Sequence, residues 1–408
     1  MKRGCIWVMA VILAVGCVDR SYGGMEDEEI FDDMTEPIPV KIHIGAAETI
    51  VPKGSGVIAD VTEWKGEKFY VYAFGNDMLA TYDVTSKTDD SRCLIDGSKD
   101  VPGTLAGKQA YMMETSNVVA WSGPDERVYY PFGSESGIVY DFFAYYLDDI
   151  QVQEMDITRL QEKIMIRVEI DGSQDLMSSK ARVLADQLAG FDDEQERLYM
   201  ENYCYSYYAA RKGIDPVFVF KHHLTKLDFM VTPAYNANGK RTVTVDRIAV
   251  KSKYRAQFTV ADRGSSDNLG LLFDDDDYAR LALKDVGPDG QMLDGLEEGR
   301  YAITTLDASQ DRGTPISVGT SLLLAPDEEY TGYAYLTETY PDGNVHEYPE
   351  PLELVLRNPG GFLPGNGYTV NISVYGATRV EVDITLKPWN DGGKIEMDDE
   401  DAFGNYEY

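Results

Sequence analysis

His222 and His223 are adjacent, in a chain that holds only four histidines. Imidazole is the side chain best suited to proton transfer near neutral pH and a common metal ligand. The segment around them is extended and alternating, so neighbouring side chains point to opposite faces. The two rings therefore cannot share an ion, and a packing or edge role is expected. Gly133-Ser-Glu-Ser-Gly137 has the outline of a nucleophile elbow, but Glu135 occupies the place where the attacking hydroxyl belongs. Gly54-Ser-Gly56 followed by Ala59 matches a dinucleotide loop loosely, with no strand–helix–strand unit around it. Asp274–Asp277, and Asp285 with Asp289-Gly290, offer hard oxygens without the spacing of an EF-hand loop. A solvated acidic loop is the expectation there and calcium the alternative. Nucleophile, base and stabiliser do not converge anywhere in the sequence, so the chain is expected not to be an enzyme and to use no cofactor or metal.

The chemistry that remains lies near the start. Lys2 and Arg3 precede an uncharged apolar run, Ile6–Val15, too short to span a bilayer as a helix. The segment Leu13-Ala-Val-Gly-Cys17 that follows has the small residues and cysteine of a lipobox, with the usual leucine displaced by one place. Residues 1–16 are expected to be a lipoprotein signal peptide and Cys17 the lipid (palmitate) attachment site, the alternative being an ordinary signal peptide that contains a cysteine. Acyl chains would hold the mature chain to a membrane without a spanning helix. Residues 17–39, with Glu26-Asp-Glu-Glu29 and Asp32-Asp33, are too polar to offset their ordering entropy and read as an acidic tether.

The elements behind the tether are mainly strands. The chain of 408 residues is long enough for two domains, and its 43% hydrophobic content can fill two cores. Lys and Arg number 37 against 70 Asp and Glu, a net charge of −33, which excludes nucleic acid as a partner for want of a basic face. Period-two alternation marks Val40–Ile44, Phe69–Ala73, Val370–Val374 and Val380–Leu386. The last two form a hairpin through Gly376-Ala-Thr-Arg379. A second hairpin is predicted from Leu227–Val231 through Asn238-Gly239 to Val243–Val250, because Asn-Gly supplies positive φ angles. Ser173 is expected to cap a helix carrying Met177, Ala181, Leu184 and Leu188, stopped at Gly190. Glu194–Ala210 continues in helical style with Tyr199, Tyr203 and Tyr207 four apart. The resulting expectation is an all-β chain of two tandem β-sandwiches, residues 40–213 and 214–390, with a short helical insertion in the first and an acidic tail at 391–408. Cys93 and Cys204 could be bonded or free.

Several segments, in this order, resemble the fimbrillin family of Bacteroidetes, the subunits and accessory lipoproteins of type V pili. They are Lys65-Gly-Glu-Lys-Phe-Tyr-Val-Tyr-Ala-Phe74; Tyr129-Tyr-Pro131 with Tyr140-Asp-Phe-Phe-Ala-Tyr-Tyr146; Tyr207-Tyr-Ala-Ala210; Phe218–Phe229; and Tyr368–Gly376 with Pro388-Trp389 and Gly392-Gly393 behind it. The resemblance implies transthyretin-like sandwiches, lipoprotein export, display on the outer membrane, and assembly with other fimbrial subunits by strand exchange. It also implies a lysine- or arginine-specific protease that removes a first strand. Val40–Ile44 fits that strand, and Lys53 or Lys65 the cut; the alternative is that both are ordinary turn lysines. The tail after Trp389 alternates only at Ile395/Met397 and Tyr406/Tyr408, which is poor for a donor strand and leaves stalk, tip and anchor roles open. A different class of function, a surface lipoprotein binding glycans, would use the aromatics of Tyr129–Tyr146 and Tyr199–Tyr208 as stacking platforms, against the alternative that these rings pack in cores.

Overall fold

The computed structural model describes residues 36–45, 66–76, 92–96, 107–112, 119–122, 127–236, 239–286, 292–294, 296, 301–306 and 312–387. Numbering follows chain order. The first sheet runs β11 (Lys221–His222), β9 (Met177–Lys180), β6 (Tyr140–Tyr146), β2 (Lys68–Gly75), β4 (Lys108–Met112), β5 (Val119–Trp121), with β3 (Cys93–Ile95) also on β2. Beside it, β1 (His43–Ile44) pairs in parallel with β10 (Val217–Phe218). A second sheet is ordered β15 (Gly270–Phe273), β14 (Arg255–Asp262), β8 (Lys163–Glu169), β7 (Ile157–Arg159). A third runs β20 (Ile316–Leu324), β12 (Thr225–Pro233), β24 (Gly367–Gly376), β25 (Arg379–Lys387). The fourth holds β16 (Tyr278–Ala282), β13 (Thr242–Lys253), β21 (Asp327–Thr339) and β22 (Val345–Glu347), with β19 (Ala302–Thr304) on β13 and β23 (Leu352–Phe362) on β21. A short pair, β17 (Lys284–Val286) with β18 (Met292–Asp294), completes it. The chain is mostly β-sheet, as the alternation requires.

Strand alternation divides the interior in two. On β2, Phe69, Val71 and Ala73 face one core, while Tyr72 and Phe74 face the other. On β6 the same split sends Phe142, Ala144 and Tyr146 one way and Phe143 and Tyr145 the other. The period-two geometry of a strand buried on both faces makes these two strands a shared wall. The first core gathers Val40–Ile44, Trp121, Tyr130, Met200, Tyr207 and Phe218. The second continues through β8, β12, β14, β21 and β24, joined to the wall by the edge-to-face contact of Tyr145 with Phe258 at 6.3 Å. The division expected near Ile214 falls inside the first core, since Ile214, Phe218 and Phe220 are buried there. Residues from Leu147 to Leu176 already line the second core, and the chain returns to it between Phe220 and Leu224. Strand pairing also crosses that position, because β8 pairs with β14.

Three local expectations are corrected. Ser173 does not open a helix. It lies in a turn, its hydroxyl donating to Asp171 Oδ1 at 2.6 Å, and Met177 begins β9 opposite Tyr146. Only Ala185–Leu188 is helical there (α1). The i, i+4 spacing of apolar residues is overridden because Met177–Lys180 completes the hydrogen bonding of β6. The segment Glu194–Ala210 is two helices, α2 (Glu194–Asn202), capped by the Asp193 carboxylate, and α3 (Tyr207–Arg211), capped by Ser206. Tyr205 at φ 62 breaks them apart. The strands Leu227–Val231 and Val243–Val250 form, but not as a hairpin. β12 pairs with β20 and, in parallel, with β24, while β13 joins β16, β19 and β21 in another sheet. The β24–β25 hairpin forms as expected, with Val370 opposite Ile384 and Ile372 opposite Val382. Trp389 lies outside the described residues.

Candidate functional site: the seat of the first strand

Residues 36–45 enter the first core from one end of the sequence and touch elements far along it. Val40, Ile42 and Ile44 are fully buried, whereas Lys41 and His43 between them are partly exposed. Burying three such side chains stabilises by about 5–9 kcal/mol, a large share of a domain's whole stability of ~5–15 kcal/mol. The backbone is held at two places. Near its start, the Val40 N–H donates to Val128 O at 2.8 Å and the Tyr130 N–H donates to Ile38 O at 3.0 Å. Further on, the His43 N–H donates to Pro216 O at 2.9 Å and the Gly45 N–H to Phe218 O at 2.7 Å. Two side chains reach across to fix it. Trp121 Nε1 donates to Val40 O at 3.2 Å, and the Tyr207 hydroxyl donates to Glu36 O at 2.7 Å. His43 Nε2 stands 3.4 Å from Asp215 Oδ2.

Gly45 ends the segment at a close approach. A Cβ there would meet Val217 Cγ1 at 2.7 Å and Val219 Cγ2 at 3.3 Å. Sequence reading found the alternating residues Val40, Ile42 and Ile44 but not their partners Trp121, Tyr207 and Val217. The one signal available was the glycine that directly follows the alternation.

The stretch carrying Lys53 and Lys65 lies outside the described residues, as does Cys17. Its flanks are both tied down: Gly45 to Phe218 as above, and the Gly66 N–H to Met112 O at 2.9 Å. A cut at Lys53 or Lys65 would therefore leave 36–45 held only by non-covalent contacts.

The other candidates are dispersed by the fold. His222 turns inward, with Nδ1 2.9 Å from the buried Asp175 carboxylate. His223 faces the opposite way, its Nε2 2.7 Å from Ser178 Oγ and its ring edge-on to Phe258. Beside the first pair, burial pushes the Asp148 carboxyl up to about 7 while it accepts the Asp175 N–H at 3.1 Å. Asp275 and Asp277 engage Lys253 and Arg255 at 3.1 and 3.2 Å, and Asp289 lies outside the described residues. Gly133–Glu135 is a 3₁₀ turn closed by the Ser136 hydroxyl donating to Gly133 O. Cys93 and Cys204 are not joined to each other, the first buried in the second core and the second packed against the first core. Burial pushes the Cys204 thiol up to about 11. Tyr130, Tyr140, Tyr145 and Tyr146 are core residues with no face to offer a sugar. Tyr199 and Tyr203 differ, being 41% and 44% exposed and stacked at 4.8 Å.

No family model matches the chain, and no curated protein matches it. Among solved structures, it is similar to a fimbrial protein from Bacteroides vulgatus, at 13% identity and TM-score 0.44, covering 86% of this chain and 100% of that one. It is also similar to the fimbrial anchor protein Mfa2 from Porphyromonas gingivalis, at 11% identity and TM-score 0.29, covering 87% and 99%. The C-terminally truncated tip fimbrial protein Mfa3 of the same organism gives 9% identity and TM-score 0.31, covering 86% and 99%.

Proposed function

We propose that this chain is a structural, non-enzymatic subunit of a cell-surface fimbria, joined to a neighbouring subunit by strand exchange. The observation that carries this reading is the seat of residues 36–45: three fully buried side chains on a short segment, tied to the body through its backbone amides and carbonyls. Loss of that segment would leave an apolar slot and the unpaired carbonyls of Val128, Pro216 and Phe218. An incoming strand satisfies both at once, its backbone bonding the edge and its alternate side chains filling the slot. In this reading the body is two transthyretin-like sandwiches. Residues 1–16 direct export, Cys17 carries palmitate to the outer membrane, and a lysine- or arginine-specific protease cuts at Lys53, with Lys65 as second choice. The seat can accept a strand whether the subunit stands in the stalk, at the tip or at the anchor.

The test is to treat purified full-length protein with a lysine-specific protease and look for ladders that resist detergent without heating. Ladders that disappear in Lys53→Ala/Lys65→Ala support the reading. Cut protein that releases residues 36–45 yet stays monomeric, alone and with partner subunits, overturns it.

A second reading rests on the exposed stacked rings of Tyr199 and Tyr203: a surface lipoprotein that binds glycan through them. Titration calorimetry against a polysaccharide panel separates the two, since saturable binding lost in Tyr199→Ala/Tyr203→Ala belongs to the second reading alone.

A further inference from the structure

In a chain of net charge −33, one cavity is lined by cations. It measures about 90 Å³ and lies where β9 and β11 meet the Ser266–Asn268 turn. Val219 and Leu269 contribute apolar walls, and Lys180, Arg182 and Lys221 the charge. Two acids answer them. Asp141 stands 3.2 Å from Lys180, which also lies over the Phe143 ring. Asp267 stands 3.6 Å from Lys221, but those side chains are 83% and 64% exposed, so the pair contributes little and exchanges easily. Arg182 has no ion pair among the described residues, leaving its guanidinium fork unmatched. His223 adds no charge: burial, then the charges of His222 and Lys221, push it down to about 3. It instead fixes the Ser178 hydroxyl in the cavity wall. What is left is a planar, five-donor group and a weakly held ammonium beside apolar walls, which suits a carboxylate.

The chain supplies such carboxylates itself, at Asp398-Asp-Glu-Asp401. Lys387, at the end of β25, pairs with Gly367, and Gly367 with Lys226. The end of β25 is thus two strand spacings, about 10 Å, from Lys226. Lys221 is five residues before Lys226, at most ~17 Å away. The chain between Lys387 and Asp398 can extend over roughly 36 Å, more than the sum of those distances. We propose that the cavity is a carboxylate-binding site that takes the acidic segment 398–401 of the same chain, with Arg182 and Lys221 as its principal donors. The occupant follows from charge and reach, and the inference stands apart from strand exchange at the first-strand seat.

The experiment is zero-length carbodiimide cross-linking of the full chain, read by mass spectrometry, in a mixture of isotope-labelled and unlabelled copies. The expected result is an amide link from Lys221 or Lys180 to one of Asp398, Asp399, Glu400 or Asp401 within a single copy. Its yield should fall about fivefold in Arg182→Ala, which removes an exposed fork without touching either core, and again at high ionic strength. A labelled acidic peptide of residues 394–408 should also bind the full chain only when its own four acids are changed to amides. Cross-links from Lys221 to Asp267 alone, links that join different copies, or a yield indifferent to Arg182→Ala would each overturn the proposal.

Discussion

The two cores are closed at their margins in opposite ways. The first is closed by residues 36–45, whose three inward side chains are fully buried but whose ladder with β10 is only two residues long. The second is flanked by β25, which has a nine-residue ladder partner in β24, yet its inward residues Val380, Val382 and Ile384 are only partly buried and Leu386 is 54% exposed. One margin is held by side chains and the other by backbone. A strand held by burial cannot leave without opening a hole that something else must fill. A strand held by its ladder loses many weak bonds together but uncovers little apolar surface. In the proposed strand exchange, replaceability would therefore belong to the first margin and permanence to the second.

The sharpest way to break this contrast is Ile42→Ala. Removing a fully buried side chain should lower stability by ~2–5 kcal/mol, seen as a lower urea midpoint and as faster hydrogen exchange at Val40–Gly45. A loss no greater than that of an exposed-site variant would mean the seat carries little of the first core's stability. The next effect concerns Asp148, which follows Tyr146 of the first core and Leu147 of the second. Burial raises this carboxyl to about 7, so the folded chain keeps a proton that the unfolded chain loses near pH 4. The folded state is thereby penalised as pH climbs from about 4 to about 7, and stability should decline over that window. Asp148→Asn keeps an acceptor for the Asp175 N–H and tolerates φ 53. It should flatten the decline and add about 2 kcal/mol at pH 8. A denaturation series across pH checks it, and an unchanged slope would rule it out. Trp121→Phe removes the bond to Val40 O together with part of a buried ring and should cost about 1–2 kcal/mol, with faster exchange centred on the seat. Smallest of all, Leu386→Ala at the exposed end of β25 should stay within roughly 0.5 kcal/mol. A larger fall in thermal midpoint than Trp121→Phe gives would reverse the contrast.

What could be read from residues alone follows the range of the forces involved. Alternation identified the buried face of Val40–Ile44 and of β24, one of the two buried faces of β2, and the half-buried face of β25, because period two is a local property. The hairpin pairing was also legible, since the partners are neighbours joined by a short turn. Pairing failed for Leu227–Val231, where Asn238-Gly239 suggested a local partner. β12 lies instead beside β20 and β24, the latter beginning at Gly367. A strand's pattern says which face is buried but not which strand lies next to it. The helix expected from Ser173 failed for a related reason: Met177, Ala181 and Leu184 satisfy a helical stripe, yet Met177–Lys180 was needed to extend β6. At the seat, the bonds from Trp121 and Tyr207 join residues 81 and 171 positions apart, beyond the reach of any local rule.

Gly45 carries a consequence for whatever occupies the seat. The hydrogen at its α-carbon is the largest substituent the space admits, because Val217 is β-branched and stiff and its methyl cannot swing aside without leaving its rotamer. An occupant in the same register must present three bulky aliphatic residues at alternate positions and a glycine immediately after the third. The slot thus acts as a four-letter password, and a partner strand can be sought by spelling before any contact is measured. A strand with alanine as the last letter would displace Val217 or stop one residue short. Were a neighbour's strand to take the seat, a mismatched one would be turned away by the missing room for a single methyl group.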